Sequence, residues 1–83
     1  MTLTRSDVER GDRVVVSFAD DDEEEYAGEV TGLAEHRIRI EPDASVVTRI
    51  RVGVDDAGQP AGARVETHHR ELTREVADLE FEG

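Results

Sequence analysis

HRIRIEPDASVVTRIRVGV, residues 36–54, decides the fold. Isoleucine and valine recur at every second position on both sides of Pro42-Asp43-Ala44-Ser45. Period two is the signature of a strand with one buried face, and a Pro/Asp/Ser cluster is turn chemistry. The stretch therefore predicts two antiparallel strands joined by a tight turn. In the first, His36 to Glu41, the inward residues are Ile38 and Ile40, and Arg37, Arg39 and Glu41 face out. In the second, Val46 to Val54, the inward set is Val46, Thr48, Ile50, Val52 and Val54. Val47, Arg49, Arg51 and Gly53 face out. Pairing around that turn sets Ile38 against Ile50, Arg39 against Arg49, and Arg37 against Arg51.

Strand signals continue on both sides. Arg13 to Phe18 alternates with Val14, Val16 and Phe18 on one face. The six acids Asp20 to Glu25 cannot pair cheaply within a sheet, so residues 19–25 are expected to form an exposed acidic loop. Tyr26 to Leu33 is a second strand in which Gly28 and Gly32 mark bends or bulges. Residues 55–62 read as a loop and Ala63 to His68 as a fifth strand. At the C-terminus, Leu72, Val76 and Leu79 have helical spacing, while Ala77, Leu79 and Phe81 alternate as in a strand. The expectation is a closing strand from about Val76 to Glu82, preceded by a short helical or irregular turn. Near the N-terminus, Ser6 and Glu9 suggest one capped helical turn ended by Gly11. Residues 1–83 thus predict one all-β domain, a small barrel of five to six strands, since closure removes exposed edges.

Composition narrows the chemistry. The chain has 83 residues, 21 acidic and 10 basic, all of the latter Arg, and a net charge of −11. A chain this short buries only about 63% of its unfolded surface, so its core is thin. There is no cysteine, which excludes disulfides, thiolate metal sites and Cys nucleophiles. No apolar run reaches the length of a membrane span, and Met1 to Arg5 lacks the apolar core of a signal peptide. A cytoplasmic location is the expectation.

Gly11-Asp12-Arg13-Val14-Val15-Val16, followed by Tyr26-Ala27-Gly28-Glu29-Val30-Thr31-Gly32, resembles the first two strands of SH3-like barrels of the KOW and Tudor type. The likeness covers Gly11 to about Leu33. It implies a small barrel whose relatives bind RNA, DNA, peptides or methylated side chains. The aromatic cage used for methylated residues does not carry over, because Phe18, Tyr26 and Phe81 are the only aromatics. The composition as a whole is similar to that of cytoplasmic proteins from extremely halophilic archaea. That likeness implies molar salt, where a Debye length of about 3 Å mutes self-repulsion.

The candidate site follows from the outward residues of the two decisive strands. Arg37, Arg39, Arg49 and Arg51 would line one solvent face with Val47. Opposed like charges are unfavourable unless neutralised, either by carboxylates such as Glu29, Glu41 and Glu66 or by a partner. The expected function is a non-catalytic interaction module that meets a protein partner or a second copy of itself. The alternative is a nucleic-acid-associated accessory protein using the same arginines. No cofactor motif, phosphate loop or nucleophile elbow occurs, so no catalytic residue, cofactor or small-molecule substrate is assigned. His68 and His69 are adjacent and would point to opposite faces of a strand. The acidic run lacks the spacing and central glycine of an EF-hand loop. No metal site is assigned to either.

Overall fold

The computed structural model describes residues 2–83, the side chains of residues 21–23 excepted. A 3-10 turn at Arg5–Asp7 (η1) precedes six strands: β1 Arg13–Phe18, β2 Asp21–Ala34, β3 Arg37–Pro42, β4 Val47–Val54, β5 Pro60–Thr67 and β6 Glu71–Phe81. Each strand pairs antiparallel with the next, and β6 returns to β1, closing the barrel. The all-β expectation holds, with six strands, and η1 is the only helical element among the described residues.

The core is the inward half of the alternation. Val14, Val16 and Phe18 of β1, Val30 of β2, Ile38 and Ile40 of β3, Ile50 and Val52 of β4, and Leu79 of β6 are fully buried. No polar or charged residue is buried among the described residues. Fully burying a Val, Leu or Ile side chain contributes roughly 1.5–3 kcal/mol, so this apolar set supplies the drive to close.

Bulges turn the sheet. The β2/β3 register slips between Val30 and Gly32, and the β1 register slips beside Phe18 against both neighbours. An extra residue on one strand bends it and increases its twist, which a small closed sheet needs. Gly28 serves differently. A Cβ there would lie 2.8 Å from the Pro42 Cα, so β2 and β3 approach more closely than any side chain allows.

Several expectations are corrected, among them the start of β5, which is Pro60 and not Ala63, so that the loop expected over residues 55–62 ends at Gln59. First, the β3–β4 turn lies later than its composition suggested, because Pro42 is buried as the last residue of β3. The register therefore shifts: Ile40 faces Ile50, Ile38 faces Val52 and Arg39 faces Arg51. Second, the phase at the start of β4 is reversed. Val47 is 3% exposed and Val46 64%, because the β4/β5 register slips between Val47 and Arg49 and leaves Thr48 as the extra residue. Third, the C-terminal segment is strand throughout, with no helical turn. Opposite Ser17 and Phe18, the β1 register skips Ala77, so the inward phase runs Leu72, Arg74, Val76, then Leu79. That slip is what imitates helical spacing. Fourth, the acidic loop is shorter than expected: β2 begins at Asp21, leaving Ala19–Asp20 as the turn.

The N-terminal segment is tied under the barrel. Thr4, not Ser6, caps η1, with its N–H donating to Asp7 Oδ2 at 2.8 Å. Val8 is buried and Leu3 packs against the core. Gly11 adopts φ +96°, which lets its N–H reach the Val30 carbonyl at 2.8 Å.

Candidate anion-binding face

The outward residues of β3, β4 and β5 form transverse rows. Cross-strand pairing sets Gly32 of β2 beside Arg39, Arg39 beside Arg51, Arg51 beside Arg64 of β5, and Arg64 beside Thr73 of β6. Three guanidinium-bearing positions thus stand side by side on neighbouring strands, about 4.8 Å apart. Arg37 lies one outward position away on β3, opposite Gly53 and Ala34. Arg49 pairs with Glu66 in the next row.

These arginines divide by partner. Arg51 is 24% exposed and makes ion pairs with Glu66 and, at 3.2 Å, with Glu71. Glu71 also meets Arg64 at 3.4 Å, and Glu66 meets Arg49 at 3.9 Å. The Nε of Arg51 is buried without a hydrogen-bond partner. Arg37 and Arg39 have no ion-pair partner among the described residues, and neither has Arg10 from the turn before β1. The carboxylate neutralisation expected from Glu66 therefore covers half of the ladder only.

Two concavities flank Arg37, one on the unpaired side of the ladder and one on the paired side. One, of about 280 Å³, is lined by Arg10, Gly32, Leu33, Ala34, Arg37 and Arg39. The other, of about 290 Å³, is lined by His36, Arg37, Arg51, Gly53, Gly62, Ala63, Arg64 and Thr73. They share Arg37. Neither lining contains a carboxylate, in a chain carrying 21 of them. The Arg39 side chain lies along the backbone of Gly32, its Nε 3.8 Å from where a Cβ would project.

Of the predicted site residues, Arg37, Arg39 and Arg51 come together. Arg49 lies one row away, lining a cleft that it shares with Arg39, Glu41 and Thr48. Val47 leaves the site altogether, because the slip at Thr48 turns it into the core. Arg64 and Arg10 were not anticipated. The outward phase of Arg64 was readable from Ala63 and Val65, but its place in the row needs the register. Arg10 arrives through the Gly11 hook onto Val30, for which the sequence offers no signal.

Elsewhere, His68 Nε2 lies 3.2 Å from the Ser45 carbonyl and His36 sits 3.8 Å from Glu35. No cluster of three metal-ligating side chains occurs among the described residues. No helix among them is long and apolar enough to cross a membrane.

Comparison with protein-family models, with curated proteins and with solved structures returns no match.

Proposed function

We propose that the chain is a non-catalytic binding module whose β3–β4–β5 face takes the phosphate backbone of a nucleic acid. The observation that carries this reading is the pair of carboxylate-free concavities rimmed by Arg10, Arg37, Arg39, Arg51 and Arg64. Guanidinium presents a planar donor fork that matches phosphate in two-point contact. Arg10, Arg37 and Arg39 are the groups with donors to spare.

The burial of Val47 moves the ranking away from a protein partner. Protein–protein interfaces draw their energy from apolar and aromatic anchors in a dry centre. With Val47 in the core, half-buried Leu33 is the one large apolar side chain lining either concavity, and the exposed large apolar residues Val46 and Phe81 line neither. A symmetric pairing of two copies would set arginine rows against each other. Protein–nucleic-acid interfaces, by contrast, are polar and strongly positive.

Two wider parts of the sequence reading belong to the same proposal: an SH3-like relationship through Gly11 to Leu33, and a salt-rich cytoplasm as the working solvent. A site for strong salt must hold its ligand in a partly dry seat, because such pairs are screened less than open ones. Of the arginines there, Arg51 is the one withdrawn from solvent, and Arg10, Arg37, Arg39 and Arg64 are exposed.

Fluorescence anisotropy with labelled 20-nucleotide RNA and DNA, single-stranded and duplex, tests the proposal. It is run at the lowest KCl concentration at which circular dichroism reports the folded barrel. Binding to at least one form is expected, weakened tenfold or more in the Arg37→Gln/Arg39→Gln double variant and unchanged in Arg70→Gln. Absence of binding to every form would overturn it.

A further inference from the structure

We infer that the two concavities act as one trough that seats a single strand of nucleic acid across the strands of the barrel, in preference to a duplex. The inference rests on the nucleic-acid reading above and adds the form of the ligand. It comes from the floor of the site, where the reading itself used only the rim.

The floor is unusually small-sided. Gly32, Ala34, Gly53, Gly62 and Ala63 lie beneath the arginines, with Leu33 at one end and Thr73 at the other. The two halves join at Arg37 and run from β2 across β3, β4 and β5 to β6. Four inter-strand spacings make a path of about 19 Å along the curved surface. At about 3.4 Å per stacked nucleotide, that path holds roughly five to six nucleotides. This is near the lower end of the footprint of single-strand-binding barrels, about 4–16 nucleotides. Arg37 stands on β3, one strand from the β2 end of the path, where Arg10 and Arg39 also lie.

A duplex is a poor match. Proteins read a duplex by inserting a helix or a two-stranded ribbon into a groove. The only helix among the described residues is the three-residue η1. The β1–β2 hairpin end sets Asp20, Glu24 and Glu25 against one arginine, Arg74, so its net charge repels phosphate. Against the convex barrel a rigid rod would touch few phosphates at once, whereas a flexible strand can follow the trough. No Phe, Tyr or Trp lines it, so bases would rest on guanidinium planes and on the His36 imidazole, and sequence preference should be slight. Three unpaired arginines correspond to a salt slope near −2 in log K against log[KCl] for a single strand.

The test separates a trough from a patch of charge. Gly62→Val fills the floor and leaves every arginine in place. A Cβ at Gly62 meets only the Arg74 carbonyl at 3.8 Å, ordinary contact, so the barrel should accept it. Labelled oligonucleotides of 2, 4, 6, 8 and 12 nucleotides and a matched 12-base-pair duplex are titrated by anisotropy, with thermal melts confirming that each variant folds. The expected result is tenfold tighter binding to the single strand, a plateau in affinity by about six nucleotides, and a fivefold or greater loss in Gly62→Val. Should the duplex bind as well or better, or Gly62→Val bind like wild type while Arg37→Gln/Arg39→Gln loses affinity, the trough is refuted and the arginine face stands. Should neither form bind wild type, both readings fall together. If Gly62→Val itself melts early, Gly32→Ala serves in its place, since its Cβ meets only the Arg39 side chain at 3.5 Å.

Discussion

Thr48 shows how much one residue can redirect. Side chains in a strand alternate between faces, so a single unpaired residue exchanges the roles of everything before it. Here it sends Val47 inward and leaves Val46 outside. The two adjacent valines should respond in opposite ways to the same substitution. Val47→Asp places a carboxylate in an apolar interior and is expected to cost 3 kcal/mol or more. Val46→Asp is expected to stay within about 0.5 kcal/mol of wild type. Urea titrations of both variants check this, and a larger loss at Val46 would mean that the bulge is misplaced.

Among the elements, the beginning of β2 and the middle of β6 are joined by a cation. Arg74 is 11% exposed and lies 4.5 Å above the Phe18 ring. Its guanidinium pairs with Asp20 at 2.8 Å and with Glu24, whose other oxygen accepts the Tyr26 hydroxyl. Phe18 and Tyr26 meet edge to face. This is how part of an acidic run comes to lie in a strand: a cation from across the barrel answers it. The Arg74 hydrogen bond holds the Asp20 carboxyl below its ordinary range. The Tyr26 hydroxyl, and then Arg74, do the same for Glu24. A carboxylate with a depressed folded pKa stabilises the fold above its unfolded value, near pH 4, and that contribution fades as pH falls through the folded value. Arg74→Leu should therefore melt below wild type at pH 7. The gap should narrow steadily from about pH 4 downward, leaving the Phe18 contact as the residue of the difference. A gap independent of pH between 2 and 7 would show that the ion pairs contribute nothing.

The elements also show which parts of the architecture were legible. Period two in β1, β3 and most of β4 exposed the core directly, because each inward position but Pro42 is a Val, Ile or Phe with no polar competitor. Registers were not legible. They depend on where Pro42 ends its strand and on residues skipped at Thr48 and Ala77, and those are settled by closure of the whole sheet. The site inherited the same limit. The outward phase of Arg37, Arg39 and Arg51 could be read locally, but which of them lack an acid, and which strand supplies Arg64, follow from the register alone.

For the whole molecule, charge is the dominant unsettled force. The net charge is −11 on a globule with a radius of gyration of 11.3 Å, so carboxylates crowd within a few Debye lengths in dilute buffer. The structure offsets this locally, pairing Arg13 with Asp43 and Glu82, Arg74 with Asp20 and Glu24, and Arg51 with Glu66 and Glu71. The remainder must be screened by solvent ions. The melting temperature is expected to climb with KCl from 0.05 to 2 M, most steeply below about 0.5 M, where the screening length changes fastest. A melting temperature that stays flat over that range would remove the case for salt as the working solvent.

The union of β1 with β6 brings Val14 against Phe81 and Val16 against Leu79, more than sixty positions along the chain. Entropy must be surrendered over nearly the whole polypeptide before those contacts return anything. Assembly of this protein should accordingly be slow for its size, in the millisecond-to-second range of sheet proteins with distant pairings. During synthesis, Val14, Val16 and Phe18 wait uncovered on one side until β6 emerges.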